Sequence, residues 1–231
     1  MYKRILLKLS GEALSGAQGF GLDLETTKKV ALQIKEAKDQ GIQIGVVIGG
    51  GNFWRGRSSE GIDRAKADQI GMLGTVMNAL YVSEVFRTLG METSVYAPYA
   101  IGLYTEVFNK DKAIRDLEAG KVVFFSGGTG HPFFSTDMGC ALRAAETECD
   151  VILMAKNIDG VYDSDPRVNP DAKKFDTLTY QEMLAKCLKV IDLPAAAFCM
   201  ENKIPSVLFA LKEEGSIMKA VNGEKIGTTL Q

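Results

Sequence analysis

Short apolar runs alternate with longer segments of helical periodicity along most of the chain. The runs predict strands at residues 5–9, 42–48, 93–97, 122–126, 151–155, 206–210 and 227–230. Apolar residues spaced three and four apart predict helices at residues 26–40, 65–89, 111–119, 138–147, 179–186 and 192–201. This βαβα order predicts an α/β fold, an open and mostly parallel sheet with helices on both faces.

The helix predicted at residues 65–89 is apolar on more than one side. One stripe holds Ile70, Leu73, Met77 and Leu80, and a second holds Met72, Val76 and Ala79. A helix that is apolar on two faces packs against more than its own sheet. We therefore expect the second stripe, including Val76, to contact another copy of the chain.

The composition is that of an ordinary globular protein, with 231 residues, 46% apolar and 24% charged. No linker or repeat divides it, so we expect a single two-lobed domain over residues 1–231. The long segment NIDGVYDSDPRVNPDAK reads as a loop. Thr179 and Glu182 predict a capping box.

Charge and hydropathy narrow the possible partners. The net charge of −2 gives no basic surface for nucleic acid. No apolar run reaches the ~20 residues of a membrane span, and the N-terminus lacks a signal-peptide pattern. We therefore expect a cytosolic protein. Its four cysteines have no metal-binding spacing and are expected to be buried, reduced thiols: Cys140, Cys149, Cys187 and Cys199.

Three glycine-rich turns follow predicted strands: KLSG at residues 8–11, GGGN at residues 49–52 and GGTG at residues 127–130. Without a Cβ, glycine lets backbone N–H groups approach an anion closely. Ligands of open parallel sheets bind at the carboxyl ends of the strands, where these turns lie. The sequence therefore predicts a cleft for several phosphates and a transfer of a phosphoryl group between two phosphorylated molecules.

Charged residues beside these turns fit that chemistry. Lys8, which alone could equally be a surface lysine, can direct its ammonium at phosphate oxygens. Arg55 is suited to a bidentate phosphate contact. The segment GTGHPFFSTD suits a pocket for a base and a phosphate. Its Asp137 could cap the next helix, orient Lys8, or do both. His131, the single histidine, is not assigned as a general base.

Five segments together carry a resemblance: KLSGEAL, VVIGGGNFWRG, ADQIGMLGTVMNAL, GTGHPFFSTD and AKNIDGVYDSDP. They closely resemble bacterial uridylate kinases of the amino acid kinase family, in the same order and through to GEKIGTTL. DGVYDSDP marks the wider family, and GTGHPFFSTD narrows the resemblance to the UMP kinase branch.

The resemblance implies transfer of the ATP γ-phosphoryl group to UMP, giving UDP and ADP, with Mg²⁺ entering as Mg-ATP and held mainly by nucleotide phosphates. It places this reaction in pyrimidine nucleotide (CTP) synthesis. It also implies a homohexamer, inhibition by UTP and, in many members, activation by GTP. The N-terminal lobe would hold mainly UMP and the oligomer contact, and the C-terminal lobe mainly ATP.

The resemblance also implies roles for individual residues. The catalytic group would be Lys8, Arg55 and Asp137, with Asp192 as a second carboxylate near the phosphates. The ATP side would be Lys8, Leu9, Ser10, Gly11, Gly51, Arg55, Tyr162 and Asp165, with Lys156 or Asn157 beside them. The UMP side would be Gly50, Asp68, Thr129, Gly130, His131, Pro132, Phe133, Phe134, Ser135 and Thr136. Asp68 would accept from the ribose hydroxyls, unless it is only a helix cap or surface residue.

This chain departs from the family pattern at His131, where the family often has Asn, and at Ala210, where Asn or Asp is common. Two other functions remain open. One is a carboxylate or carbamate kinase, which would need an amino-acid pocket in place of GTGHPFFSTD. The other is a non-catalytic nucleotide-binding or storage protein, against which the presence of Lys8, Arg55 and Asp137 argues.

Overall fold

The computed structural model describes residues 2–55, 61–188 and 190–231. The strands are β1 (Arg4–Leu9), β2 (Gln43–Ile48), β3 (Thr93–Ala97), β4 (Glu106–Val107), β5 (Val122–Phe125), β6 (Val151–Lys156), β7 (Val161–Tyr162), β8 (Lys174–Phe175), β9 (Thr177–Leu178), β10 (Ser206–Ala210) and β11 (Thr228–Leu230). The α-helices are α1 (Gly11–Leu14), α2 (Leu24–Asp39), α3 (Arg64–Thr88), α4 (Lys110–Glu118), α5 (Thr136–Glu146), α6 (Tyr180–Ala185), α7 (Leu193–Glu201) and α8 (Ser216–Val221), and Gly16–Gln18 forms a 3₁₀ turn.

In these three described ranges, nine strands form one sheet in the order β4-β3-β5-β2-β1-β6-β10-β11-β9. Neighbouring strands are parallel except for β10 and β11, which are antiparallel. Leu9 of β1 pairs with Ile48 of β2 and with Ala155 of β6, so these strands end at the same edge. The predicted mostly parallel α/β fold is confirmed, and the three glycine-rich turns share one edge of the sheet.

Helices cover both faces of the sheet. One apolar cluster includes Ile5 and Leu7 of β1 together with residues of α2, α3 and α8. The other includes Leu6 of the same strand with residues of α4, α5, α6 and α7. Successive side chains of a strand point to opposite faces, so an almost continuously apolar strand is needed when both faces are buried.

Helix α3 presents a different face to solvent from the one predicted. Val76 is 4% exposed and lies in the core, whereas Leu73 and Met77 are 49% and 52% exposed. The prediction that Val76 faces another copy of the chain is therefore wrong. Periodicity shows that α3 has two apolar stripes, but contacts with the sheet and the glycine turns decide which stripe is buried.

Some boundaries and local structures also differ from the prediction. Helix α5 begins at Thr136, and its N-cap is Ser135, whose Oγ accepts from Met138 N at 3.1 Å. Asp137 is therefore in the first turn and is not the cap. The segment predicted as a long loop contains strand β7, which pairs antiparallel with β8 directly after the segment. The capping box of Thr179 and Glu182 is confirmed.

All four cysteines are free thiols. Cys140 and Cys199 are buried, as expected, but Cys149 is half-buried and Cys187 is exposed, so the prediction of burial is wrong for Cys187. Cys187 follows α6 in a turn with a φ of 53°. In the described part of the chain, no helix is both long and apolar enough to cross a membrane.

Candidate active site

The first and second glycine turns are in direct contact. Gly49 N donates to Leu9 O at 3.0 Å, which joins the ends of β1 and β2. A Cβ on Gly11 would lie 2.2 Å from Asn52 Oδ1 and 2.3 Å from Gly49 O. These distances exclude any side chain at Gly11, because one of the contacts is with backbone. Glycine is needed here for close packing rather than for an unusual φ.

Helix α3 joins the second turn to the third. A Cβ on Gly50 would lie 2.5 Å from Gly71 O of α3. On the same helix, the Thr75 hydroxyl accepts from Gly127 N at 2.7 Å. The three turns therefore form one structural unit at the edge of the sheet, as predicted.

Several backbone N–H donors of these turns have no acceptor in the described part of the chain. Among the residues that the structure describes, none accepts a hydrogen bond from the N–H of Gly50, Gly51, Gly128 or Thr129. Gly128 has a φ of 59°, and no atom of the described residues outside its chain neighbours lies within 4 Å of its Cβ position, so it leaves open space there. Unpaired N–H groups on glycine backbone suit an anionic ligand.

A cleft of about 220 Å³ lies between the second and third turns and the start of α3. Its walls are formed by Gly50, Gly51, Trp54, Arg55, Arg64, Asp68, Gly71, Met72, Thr75, Gly128, Thr129, His131, Phe134, Ser135 and Thr136. Most of the residues predicted for an acceptor nucleotide are thus on one surface. Gly130 instead packs against Pro98, with 2.9 Å from its Cβ position to Pro98 Cβ, and Pro132 is half-buried.

Lys8 and Asp137 form a mostly buried ion pair. Lys8 Nζ lies 2.8 Å from Asp137 Oδ1, and the two side chains are 13% and 16% exposed. Burial alone would lower the pKa of Lys8, but the Asp137 carboxylate outweighs it and the pKa is raised. Burial opposes the charge of Asp137 as well, yet the charges of Lys8 and Lys156 lower its pKa. Both groups are therefore charged at neutral pH.

Lys156 and Asp192 extend this pair. Lys156, at the end of β6, donates to Val190 O, and burial lowers the pKa of its ammonium against the opposing effect of Asp137. Asp192 N donates to Asp137 Oδ2 at 3.3 Å, and the Asp192 carboxylate accepts from Ser135 Oγ. Two lysines and two aspartates thus converge where the strands end.

The two candidates that the sequence left open on the ATP side differ in burial and in their contacts. Lys156 is half-buried and interacts electrostatically with Asp137, whereas Asn157 is exposed. Asp192 also caps α7, since its Oδ1 accepts from Ala195 N at 2.8 Å. Asp137, whose carboxylate contacts Lys8, therefore accepts a backbone hydrogen bond from the residue that caps α7.

Arg55 lies at the cleft wall in an ion pair with Glu12. Glu12 was not among the predicted site residues. Its position directly after Ser10-Gly11, in SGEAL, is the sequence signal that could have identified it. The Glu12 carboxylate lies against the second turn as well, 3.3 Å from the Cβ position of Gly51.

Asp68 fixes the conformation of the third loop. Its Oδ2 accepts from Phe133 N at 2.9 Å and from Arg64 Nε at 2.9 Å. Phe133 has a φ of 72°, which is uncommon for a residue with a side chain, and the Arg64 guanidinium lies 5.7 Å from the centre of its ring. The cap of α3 is Asp63, so the cap interpretation of Asp68 is wrong.

Tyr162 and Asp165 lie apart from this cluster. Tyr162 donates to Asp159 Oδ1 at 2.8 Å. Asp165 is bound by Arg167, with 2.8 Å between Oδ2 and Nη2, and these hydrogen bonds lower the pKa of Asp165 to about 2. The hydrogen bonds and ion pairs described for both side chains stay within residues 159–167. The structure does not connect the predicted adenosine residues to Lys8.

The amino acid kinase family model matches residues 3–218, and the chain belongs to that family. Among solved structures, UMP kinase from Bacillus anthracis is similar over 100% of this chain and 96% of its own, with 36% identity and a TM-score of 0.96. UMP kinase from Ureaplasma parvum matches over 100% and 99%, with 34% identity and a TM-score of 0.93. Uridylate kinase from Archaeoglobus fulgidus matches over 98% and 99%, with 29% identity and a TM-score of 0.75.

Proposed function

We propose that this chain is a UMP kinase, which transfers the γ-phosphoryl group of ATP to UMP and forms UDP and ADP. The observation that carries the proposal is the Lys8–Asp137 ion pair among three glycine turns at one edge of the sheet. Likeness to UMP kinases over the full length of the chain supports UMP as the acceptor.

Phosphoryl transfer requires in-line positioning and charge stabilisation more than covalent chemistry by the protein. The Lys8 ammonium, oriented by Asp137, would face the transferring group, and Lys156 supplies a second cation nearby. The attacking atom would be a phosphate oxygen of UMP that is already anionic. No general base is needed, which agrees with leaving His131 without that role.

The acceptor and donor would occupy different parts of the site. UMP would occupy the cleft, with its phosphate at the Gly50 N–H, its ribose at Asp68 and its base against the third loop, from Thr129 to Thr136. ATP phosphates would lie along Leu9–Gly11, Gly51 and Arg55, near Lys156. Tyr162 and Asp165 would approach the adenosine from the C-terminal lobe. This assigns UMP mainly to the N-terminal lobe of a single domain and ATP mainly to the C-terminal lobe.

Magnesium would enter with ATP, and the carboxylates at this edge fit an ion held mainly by phosphate oxygens. Asp137 is already bound to Lys8, and Asp192 already accepts from Ser135 and Ala195. Mg²⁺ typically takes one or two carboxylates together with substrate phosphates. When bound, it would neutralise charge on the donor phosphates.

Assembly, regulation and location are proposed on the resemblance. A homohexamer with UTP inhibition, a role in pyrimidine nucleotide synthesis and a cytosolic location stay predictions. Activation by GTP is left to experiment, because no described residue is assigned to it. For assembly, the exposed stripe of α3 with Leu73 and Met77 is the surface that we propose for self-association.

A coupled assay of ADP release tests the function. Purified full-length protein with Mg-ATP is given UMP, aspartate, glutamate or no acceptor. We expect ADP release that depends on UMP, with one UDP formed for each ADP. ADP release with aspartate or glutamate in place of UMP would identify a carboxylate kinase. Nucleotide binding without ADP release for any acceptor would identify a non-catalytic binding protein.

A further inference from the structure

Two asparagine side chains form a reciprocal, buried amide pair beneath the glycine turns. Asn52 Nδ2 donates to Asn78 Oδ1 at 2.9 Å, and Asn78 Nδ2 donates to Asn52 Oδ1 at 2.8 Å. Their second N–H groups donate to the carbonyls of Gly21 and Gly49, each at 2.7 Å. Asn52 is 2% exposed and Asn78 is 0% exposed.

The pair places polar amide groups in the buried interior of the protein. Asn78 lies in the middle of α3, between the buried residues Val76 and Ala79. A buried amide costs free energy unless its donors and acceptors are paired, and a fully paired network fixes one arrangement of the groups it joins. Here all four N–H hydrogens of the two amides have acceptors. An apolar pair could fill the space but could not bind the two loop carbonyls.

The pair controls the orientation of the second turn. Asn78 holds the Gly49 carbonyl toward α3. In a trans peptide the N–H of the next residue points the opposite way, so the Gly50 N–H points away from the amide pair. That N–H has no acceptor among the described residues, and Gly50 lines the cleft. The direction of an anion-binding donor is thus set from beneath the loop.

The same oxygens define the position of the first turn. Asn52 Oδ1 and Gly49 O, both bound by Asn78 Nδ2, are the two atoms closest to the Cβ position of Gly11, at 2.2 and 2.3 Å. Any displacement of the amides would move the surface on which Gly11 rests. Strand β1, which carries Lys8, ends at Leu9, and only Ser10 separates that end from Gly11.

We propose that Asn52 and Asn78 are a positioning pair, which holds the first and second glycine turns in the one relative arrangement that phosphoryl transfer requires. The proposal rests on the proposed function, because it assigns the donor phosphates mainly to the first turn and the acceptor phosphate to Gly50 of the second. Neither asparagine touches a nucleotide in this scheme. They act through Gly49 and Gly11.

A positioning role and a purely stabilising role make different kinetic predictions. Misplacement of reacting groups by about 1 Å can cost on the order of 100-fold in rate. Each nucleotide can still bind its own turn when the two turns are displaced relative to each other, so the Michaelis constants should change little. A stabilising role would lower the melting temperature and leave kcat of the folded enzyme unchanged.

The test compares Asn78→Ala with Val82→Ala in the full-length enzyme. Val82 is fully buried one turn further along α3, in the apolar core, so this control truncates a buried side chain of the same helix. The melting temperature of each variant is measured first. The kcat, the KM values for ATP and UMP, and the UMP affinity by calorimetry are then measured well below that temperature. Wild-type turnover with UMP is established first, so its absence would reject the proposed function separately.

We expect Asn78→Ala to lower kcat by ~30-fold or more while both KM values and the UMP dissociation constant stay within about threefold. Val82→Ala should lower the melting temperature but keep kcat within about twofold of wild type. Equal kcat values for the two variants would overturn the proposal, and so would a loss expressed mainly in the KM for UMP. If Asn78→Ala does not fold, Asn52→Ala carries the same expectation. If neither folds, the pair serves stability and the proposal is rejected.

Discussion

At the scale of single residues, Lys8 combines a fixed charge with restricted access to water. Its ammonium is bound to Asp137 at 2.8 Å and is largely buried. A charge held in a dry site stabilises developing negative charge more than the same charge in water, because it needs no reorganisation. The sequence predicted this role from a lysine beside a glycine turn. It left open whether Asp137 orients Lys8, caps the next helix, or does both.

We expect Lys8→Met to lower kcat by roughly 100-fold, about 3 kcal/mol, with a much smaller change in the KM for UMP. Methionine keeps an unbranched apolar side chain of nearly the same length and removes the ammonium, with its charge and its hydrogen-bond donors. Lys3→Met, just before the opposite end of β1, is the matched control and should behave as wild type. Steady-state kinetics at saturating Mg-ATP decide the matter. Nearly normal turnover by Lys8→Met would exclude Lys8 from the reaction.

Asp68 has one carboxylate oxygen in use and one available. Oδ2 accepts from Phe133 N and Arg64 Nε, and no donor to Oδ1 is found among the described residues. A ribose hydroxyl can therefore be accepted without breaking the anchor of the third loop. The sequence suggested the ribose contact, but only the fold shows that the same carboxylate also holds Phe133.

We expect a strong preference for UMP over dUMP, because a site built to bond a hydroxyl rejects the analogue that lacks it. Asp68→Ala should narrow the ratio of kcat/KM for the two nucleotides by about tenfold or more, mainly by weakening UMP. Asp68→Asn, which can retain the acceptor for Phe133, separates loss of the anchor from loss of the ribose contact. An unchanged ratio in Asp68→Ala would leave Asp68 with the structural role alone.

At the scale of elements, Asp116 ties α4 to β3. Its carboxylate accepts from Tyr96 OH at 2.7 Å and from Lys121 Nζ at 2.8 Å. Burial would raise the pKa of Asp116, but these hydrogen bonds prevail and lower it. Because the folded-state pKa is below the unfolded one, this contribution to stability is complete above about pH 4 and is lost as the pH falls through the folded-state pKa.

Asp116→Asn should therefore lower the free energy of unfolding by about 1–3 kcal/mol near neutral pH, the usual range for a hydrogen bond to a charged group. The difference from wild type should shrink as the pH is lowered below about 4. Urea unfolding near neutral pH and below about pH 4 measures the difference in the free energy of unfolding between variant and wild type. Asp111→Asn, exposed on the same helix, is the control. A difference that is independent of pH would show that the charge of Asp116 is not what stabilises the contact.

At the scale of the whole molecule, α3 links the site to a surface. Its buried side holds Thr75 and Asn78, which bind the turns, and its other side exposes Leu73 and Met77. Adjacent exposed apolar side chains on one helix are typical of a surface that another protein covers. A second copy of the chain is the partner that the resemblance implies.

We expect Met77→Glu to dissociate the proposed oligomer into smaller species without lowering protomer stability, because Met77 is exposed in the protomer. Val76→Glu should instead destabilise the fold, since it buries an unpaired charge. Light scattering and thermal unfolding distinguish the two effects. A wild type that is monomeric at all concentrations tested would refute the assignment of this surface.

The sequence by itself determined the order and type of the main elements, the parallel sheet and the meeting of three glycine turns at one edge. These follow from local periodicity and from the rule that parallel strands end together. Only the tertiary structure decided which stripe of α3 is buried, which groups bind Asp68, and that Asn52 pairs with Asn78, 26 residues away. Such pairings depend on side chains from distant segments that become neighbours only when the helices pack on the sheet, and no local pattern encodes that geometry.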